Sequence, residues 1–301
     1  MSILSFIISS VAFHAFGQDT IVKLWKDVDG AFEGKQRRPE LRVFYPKNGV
    51  NTGTCMLICP GGSYHHLALK SEGKEVAEWF ANQGVTAFVL RYRVGYYGNH
   101  QPAMIEDFQR AMQIIRQNAD FFHINPDRVG AIGFSAGGPL VTHGGILADS
   151  RYLKAKGIDC KVSTRPNFVV PVYPVVSMQD SIVHQRSRKN LLTEHYTKEL
   201  QDRFSLELQI PTDMPPVFLV ACKDDPVVDY RNSVALHNAL KDKGIKAGRH
   251  RIFGNEQYYR LRFFDAVAQL VAEIVAVLAR FVVPDAVLSH MKRVEHLING
   301  L

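Results

Sequence analysis

The chain has 301 residues, of which 46% are hydrophobic, so it is long enough to bury a sizeable core in one α/β domain of ordinary length. Its net charge of +7 comes from lysines and arginines that are scattered along the chain and not interleaved with aromatic residues in one stripe. This pattern indicates a solvated basic surface, and the sequence contains no nucleic-acid-binding motif.

The first 17 residues are apolar from Ile3 to Phe16 and end in a small-x-small pattern, Ala-Phe-Gly, that suits signal peptidase. We expect residues 1–17 to be a secretory signal and residues 18–301 to form a single domain of a secreted or periplasmic protein. No lysine or arginine precedes the apolar run, which leaves a buried or frayed N-terminal strand as the alternative. No cysteine lies at the cleavage point, so a lipoprotein anchor is not indicated.

Short apolar runs alternate with helical patterns along the rest of the chain, without repeats or low-complexity segments. The short connections require right-handed crossovers and therefore a mostly parallel sheet flanked by helices. One helix is predicted by apolar residues at helical spacing, from Ile105 to Ile115. The predicted strands are Leu41–Tyr45, Cys55–Cys59, Thr86–Tyr92, Val129–Phe134, Phe168–Tyr173, Val217–Ala221 and His250–Phe253.

The strand that ends at Cys59 stops abruptly in Pro-Gly-Gly, a turn that can present bare backbone N–H groups. In serine hydrolases such amides stabilise the negative charge that develops on the carbonyl oxygen, by roughly 3 kcal/mol per donor. We expect donors at Gly62 and Ser63, together with the N–H of Ala136. The alternative is an ordinary tight turn after a strand.

The stretch from Gly133 to Gly137 reads Gly-Phe-Ser-Ala-Gly and lies where a predicted strand meets a segment that can start a helix. That is the context of a nucleophile elbow, in which Ser135 stands clear of the sheet. The glycines are needed because a side chain there would clash with the neighbouring strand and helix. A glycine-rich connection after a core strand is the alternative.

Two carboxylates, Asp224 and Asp225, follow the predicted strand Val217–Ala221. Catalytic groups in open α/β sheets gather at the carboxyl ends of the strands, where an acid can orient a histidine and stabilise its imidazolium form. The alternative is a solvated Asp-Asp-Pro turn. The polar segment 176–211, which precedes this strand, is expected to form a small helical excursion over the same edge and to contribute to substrate choice.

Taken together, the order of oxyanion turn, serine and acid is that of the α/β-hydrolases. From about Trp25 to Phe253 the chain resembles the bacterial xylanase-associated acetyl esterases and feruloyl-esterase-like α/β-hydrolases. This resemblance implies the α/β-hydrolase fold and a serine esterase that removes acetyl or feruloyl groups from plant cell-wall polysaccharides, without metal or cofactor. The matching stretches are Pro60–Tyr64, Leu67–Ala68, Lys70–Gly73, Leu90–Arg93, Asp107–Ala111, Gly133–Gly138, Pro215–Phe218 and Asp224–Val228.

The resemblance also selects between the two carboxylates. In the family the acid is followed by two residues and then a valine, with a serine eight positions on. Asp225 meets both conditions through Val228 and Ser233, so Asp225 is the expected acid and Asp224 the fallback.

The histidine is where the chain departs from the family. The family reads roughly Gly-Gly-His-Gly-Phe a few residues after the last strand, and the same register places Gln257 at the histidine position. Glutamine can hydrogen-bond, but it cannot accept a proton at neutral pH and so cannot activate Ser135. His250 lies at the start of a strand rather than past its end. His290 and His296 lie on a tail where nothing in the sequence positions them.

The segment beyond residue 260 is unlike the family in composition. It predicts a long amphipathic helix from Phe263 to Phe281, which charged residues interrupt too often for a membrane span. A shifted reading frame that begins near Gly254 would explain both this composition and the missing histidine. The four cysteines do not show a zinc-binding pattern, and Cys55 and Cys59 are expected to pack as small hydrophobic residues.

Two functions therefore compete. The first is a carboxylic ester hydrolase of the carbohydrate-esterase type, with Ser135 as nucleophile, Asp225 as acid, and a small or oligosaccharide ester as substrate. The second is a catalytically impaired α/β-hydrolase-fold protein that binds an acylated sugar or a partner, and Gln257 favours it. The sequence indicates neither the acyl group nor an oligomeric state.

Overall fold

The structure is a computed structural model that describes residues 20–26, 39–47 and 49–245, and the backbone of residues 251–253. Several predicted features lie outside the described residues: the proposed signal at residues 1–17, His250, Gln257, the predicted helix from Phe263, His290 and His296. The strands are β1 (Thr20–Lys23), β2 (Glu40–Phe44), β3 (Cys55–Cys59), β4 (Thr86–Arg91), β5 (Val129–Phe134), β6 (Phe168–Val172), β7 (Val220–Cys222) and β8 (Arg251–Phe253). The helices are α1 (Glu75–Asn82), α2 (Ala103–Gln117), α3 (Gly137–Ile146), α4 (Arg151–Lys154), α5 (Gln185–Leu192), α6 (Lys198–Phe204) and α7 (Arg231–Asp242).

The strands of the described part form one sheet in the order β1-β2-β4-β3-β5-β6-β7-β8. Strands β3 to β8 pair in parallel, whereas β2 is antiparallel to both β1 and β4. The predicted mostly parallel sheet is confirmed. The sequence analysis missed β1, a short edge strand whose side chains alternate between half-buried and exposed.

Helices cover both faces of the sheet, and strand β3 shows how the sequence achieves this. All five residues of β3 are buried, as expected for a continuous apolar run in a sheet that is covered on both sides. Leu57 packs in one core cluster with Phe108 of α2, and Ile58 packs in the other with Phe80 of α1. The predicted stripe on α2 is confirmed, since Ile105 through Ile115 at helical spacing are buried.

Strand β7 begins later than the sequence predicts, and a proline in the neighbouring strand explains the difference. The N–H of Phe218 donates to the carbonyl of Val169 (2.9 Å), and the N–H of Tyr173 donates to the carbonyl of Val220 (2.6 Å). Between these two bonds lies Pro171 of β6, which has no N–H to give to the ladder. Regular pairing therefore starts only at Val220.

The carboxyl ends of β3, β5, β6 and β7 lie at one edge of the sheet because these strands are parallel. The chain between β6 and β7 adds α5, α6 and a 3₁₀ turn (Leu206–Leu208) within the segment predicted as a helical excursion. The cysteines are free thiols, and Cys55, Cys59 and Cys222 are buried. Among the described helices, none combines the length and apolar character that crossing a bilayer requires.

Candidate active site

Ser135 occupies the turn between β5 and α3 with a φ of +49°, in the left-handed region that residues with a side chain seldom adopt. Its N–H donates to the carbonyl of Val172 (3.0 Å), and its own carbonyl accepts from the N–H of Gly138 (3.0 Å). The residue is half-buried at the carboxyl edge of the sheet. Such strain persists only where the surroundings impose it, and it is characteristic of functional sites.

Close packing explains why glycines flank the serine. A Cβ at Gly133 would lie 2.0 Å from the carbonyl oxygen of Gly137, and a Cβ at Gly137 would lie 2.0 Å from that of Cys59. The elbow is thus folded tightly on itself and against the end of β3. No residue larger than glycine fits at either position without moving the backbone.

The turn that follows β3 lies directly beside the elbow. A Cβ at Gly61 would lie 2.9 Å from the Cβ of Ser135 and 2.7 Å from the carbonyl oxygen of Phe134. The next three residues all have positive φ: +124° at Gly62, +57° at Ser63 and +54° at Tyr64. The two segments that the sequence analysis singled out therefore meet at one edge of the sheet.

The backbone amides of this corner are available to a ligand. Within the described residues, the N–H groups of Gly62, Ser63 and Ala136 have no hydrogen-bond acceptor. Ala136 is completely buried and precedes the first turn of α3, where the helix dipole favours negative charge. A buried amide without a partner is uncommon, so these groups are suited to receive an incoming oxygen.

A half-buried glutamate, which was not predicted as a site residue, holds the turn in place. Glu72 accepts a hydrogen bond from the N–H of Gly61 (2.7 Å) at Oε2 and one from the hydroxyl of Tyr173 (3.1 Å) at Oε1. Burial raises the pKa of Glu72, although both hydrogen bonds lower it. The hydroxyl of Tyr92 anchors the same turn by donating to the carbonyl of Pro60 (2.6 Å).

The two carboxylates after β7 have different partners. Oδ1 of Asp225 accepts from the N–H groups of Val227 (2.8 Å) and Val228 (3.0 Å). The Asp224 carboxylate instead accepts from the Cys222 thiol (2.8 Å), and burial together with this bond raises the pKa of that thiol to about 11. Asp225 is therefore fixed in orientation by the backbone, while Asp224 turns back toward its own strand.

Among the described residues, no side chain hydrogen-bonds the hydroxyl of Ser135. The position expected to supply the base, Gln257, lies outside the described residues. His184 is the described histidine whose pKa responds to Asp225: the carboxylate raises it, while burial and the charge of Arg186 lower it more. Its Nδ1 lies 2.8 Å from Oγ of Ser187 at the start of α5. His184 was not predicted as a site residue, because it lies in a polar segment without a motif.

A small apolar pocket lies between α3 and the insertion between β6 and β7. Tyr64 of the turn and Pro139 and Leu140 of α3 line one part of it, and Leu191 and Phe204 line another. His143 also borders this pocket, and burial lowers its pKa to about 4, so the ring is uncharged at neutral pH. Ser135 is not among the residues that line this pocket.

Comparisons with known proteins identify relatives of this chain. Residues 41–240 match the family model BD-FAE. The chain is 35% identical over 199 residues to endo-1,4-beta-xylanase B of Butyrivibrio fibrisolvens, and 29% identical over 211 residues to an acetylxylan esterase of Xylanibacter ruminicola. These matches cover 64% and 69% of this chain but only 30% and 41% of the relatives, so the chain spans less than half the length of either.

Solved structures show the same fold. The acetyl ester-xyloside bifunctional hydrolase from Caldicellulosiruptor lactoaceticus has a TM-score of 0.73 and 29% identity, covering 85% of this chain and 96% of that one. A thermophilic esterase of Thermogutta terrifontis, at 20% identity, has a TM-score of 0.68 and covers 86% and 94%. The predicted α/β-hydrolase fold is confirmed.

Proposed function

Because the chain belongs to the BD-FAE family, we propose that it is a serine esterase that removes acyl groups from plant cell-wall polysaccharide or its oligosaccharides. The observation that carries this proposal is the contact between the strained Ser135 elbow and the Gly61 turn, with unpaired amides around it. Relatives described as an acetylxylan esterase and an acetyl ester-xyloside hydrolase support acetylated xylan as the substrate class.

In the proposed reaction, Oγ of Ser135 attacks the carbonyl carbon of the ester while its proton passes to a base. The carbonyl oxygen becomes negative and accepts hydrogen bonds from the N–H groups of Gly62, Ser63 and Ala136, at roughly 3 kcal/mol per donor. The C–O bond to the sugar then breaks, and the sugar oxygen takes the proton from the base. Water then attacks the carbonyl carbon of the acyl-serine and gives a proton to the base. Oγ of Ser135 leaves and takes that proton, which releases the free acid, so the chemistry requires neither metal nor cofactor.

The acid and the base need separate arguments. The Asp225 carboxylate has one oxygen fixed by two backbone amides, which leaves Oδ2 to orient a protonated base. Loss of a histidine base costs on the order of 10⁶ in turnover, whereas the oxyanion hole and binding alone retain roughly 10³ over water. Because Gln257 is expected at the position of the base, we retain the second function, that of a protein that binds an acylated sugar without hydrolysing it.

Acetate release from acetylated xylo-oligosaccharide tests the proposal directly. We expect the unmodified chain to release acetate and Ser135→Ala to reduce the rate to the background level. Hydrolysis that persists in Ser135→Ala would refute the esterase assignment. Binding of the oligosaccharide without acetate release, even after Gln257→His, would support the binding protein instead.

We also propose that the protein acts outside the cytoplasm, in the periplasm or the surrounding medium. The apolar character of residues 1–17 and the size of a polysaccharide substrate support this location. Expressed in a bacterial host, the exported protein should begin at Gln18 by mass spectrometry. Recovery of only the intact chain from the cytosol would contradict the proposal.

A further inference from the structure

Three aromatic rings form an exposed cluster beside the candidate oxyanion turn. Tyr96 is 62% exposed and Tyr97 is 48% exposed, and both belong to a 3₁₀ turn, Gly95–Tyr97. The rings of Tyr96 and Tyr97 lie edge to face with centroids 5.0 Å apart, and the ring of His65 lies 4.6 Å from that of Tyr96. We call these three residues the aromatic platform. Contiguous exposed aromatic surface of this kind marks a binding site more often than single exposed residues do.

The platform is attached to the backbone segment that carries the oxyanion donors. The N–H of Gly95 donates to the carbonyl of Tyr64 (2.7 Å), and His65 follows Tyr64 directly in the chain. The side chain of Asn190 donates to the carbonyl of Ser63 (2.9 Å). A ligand that touches the platform therefore also lies beside the turn that faces Ser135.

The platform is held rigidly by helix α5. A Cβ at Gly95 would lie 2.2 Å from the carbonyl oxygen of Asn190, so the 3₁₀ turn is packed directly on that helix. Nδ1 of His100 lies 2.8 Å from the same oxygen, and the N–H of Gln101 donates to the carbonyl of Leu191 (2.9 Å). Because these contacts hold the backbone of the 3₁₀ turn in place before a ligand arrives, binding requires little ordering of that backbone.

The chemistry of the rings identifies the kind of ligand. The pKa of His65 is lowered by partial desolvation and by the charge of Arg186, so the platform is an uncharged aromatic surface at neutral pH. The negative π faces attract polarised C–H groups, and the hydroxyls of Tyr96 and Tyr97 can exchange hydrogen bonds with polar groups at the rim. A pyranose ring combines an apolar C–H face with hydroxyl groups around its edge.

We propose that the aromatic platform binds the pyranose rings of the polysaccharide chain adjacent to the sugar whose ester is cleaved. This inference rests on the proposed esterase function, and it gives the site a preference for polymeric or oligomeric substrates over small esters. The rings would contribute to the binding of the sugar chain and would not take part in the chemical steps.

Two substrates distinguish the binding of the sugar chain from the chemical steps. Tyr96→Ala and Tyr97→Ala, singly and together, are compared with the unmodified chain on acetylated xylo-oligosaccharide and on an aryl acetate, which lacks a sugar chain. For the double variant we expect kcat/KM on the oligosaccharide to fall about tenfold or more through KM, with the aryl acetate rate within about twofold. Phe121→Ala is the matched control, because Phe121 is also an exposed aromatic (51%) but follows α2, away from the platform.

Three results would overturn the inference. Equal losses on both substrates would mean that the tyrosines only support the oxyanion turn. An unchanged KM for the oligosaccharide, or a change no larger than that of Phe121→Ala, would mean that the platform does not bind sugar. A switch from dimer to monomer in sedimentation, with KM unchanged, would assign the platform to a second copy of this chain.

Calorimetry keeps the inference independent of catalysis. Unacylated xylo-oligosaccharide is titrated into Ser135→Ala with and without the two tyrosine substitutions, and we expect binding to weaken about tenfold when both are present. If no substrate is hydrolysed but this difference appears, the esterase proposal fails and the platform stands. If hydrolysis is observed and both proteins bind equally, the platform fails and the esterase proposal stands.

Discussion

Gly61 and Ser135 are so close that a methyl group on the Cα of Gly61 would lie 2.9 Å from the Cβ of Ser135. The same methyl group would lie 2.7 Å from the carbonyl oxygen of Phe134, which cannot move without the backbone. This contact sets the position of the Gly61 turn relative to Ser135. The contact is possible only because Gly61 has no side chain.

Gly61→Ala should therefore separate the turn from the elbow. We expect kcat/KM on an aryl acetate to fall at least about 100-fold, the loss typical of one oxyanion donor, with circular dichroism unchanged. Gly145→Ala on α3 is the control, because there the added methyl group would be 3.1 Å from the flexible end of Met214. Equal activity in the two variants would contradict the proposed position of the turn.

Glu72 should act on rate by positioning this turn. Glu72→Ala removes the acceptor of the Gly61 N–H, and we expect kcat on an aryl acetate to fall about 10- to 100-fold. Glu72→Gln keeps one carbonyl acceptor and can donate to the hydroxyl of Tyr173, so its loss should be only a few-fold. The two variants would have the same kcat if Glu72 merely filled space.

The pH dependence of stability provides a second test of Glu72. Burial raises its folded-state pKa above the unfolded value of about 4.3, so its contribution to stability is present below that value and is lost as pH rises through the folded-state pKa. Glu72→Gln does not titrate. Its free energy of unfolding relative to the unmodified chain should increase as pH rises above about 4.3. Urea denaturation measures this, and a pH-independent difference would be inconsistent with the burial of a charged Glu72.

Substitutions of Asp224 and of Asp225 should have very different effects on kcat. In whichever background shows ordinary esterase rates, unmodified or Gln257→His, we expect Asp225→Asn to lower kcat by as much as about 10⁴. Asp224→Asn should have little effect, because that carboxylate bonds the Cys222 thiol. A larger loss in Asp224→Asn would reverse the assignment of the acid.

The identity of the base can be decided with two substitutions. If Gln257 occupies the base position, the unmodified chain should hydrolyse an aryl acetate slowly, and Gln257→His should raise the rate by orders of magnitude. If His184 serves instead, the unmodified chain should show ordinary rates that His184→Ala abolishes and Gln257→His leaves unchanged. Ordinary rates that survive His184→Ala would point to another histidine, such as His250, His290 or His296.

The sequence predicted the parts of the fold that local patterns determine. Strands β3 and β5 were predicted to the residue, because each is a continuous apolar run that ends at a glycine-rich turn. Strand β1 was missed because its residues, Thr20–Lys23, form a short edge without a strong apolar pattern. The start of β7 depends on Pro171 in a neighbouring strand, which periodicity within one segment does not reveal.

The candidate site also combines features that local sequence patterns predict with features that they do not. The sharp turns at Gly61 and Ser135 could be predicted because glycine spacing and strand ends are visible in the sequence, and their roles in catalysis stay predictions. The function of Glu72 could not be predicted, since it depends on a contact with Tyr173, 101 residues away. The electrostatic influence of Asp225 on His184 likewise depends on how the insertion folds.

The most direct test of the account is to find the residue that carries the acyl group during turnover. The chain is mixed with an aryl acetate, quenched in acid and mapped by peptide mass spectrometry. We predict a single acetyl group on Ser135 that is absent from the Ser135→Ala protein, together with loss of turnover in that variant. Turnover with the acetyl group on another residue, or turnover that persists in Ser135→Ala, would contradict the account.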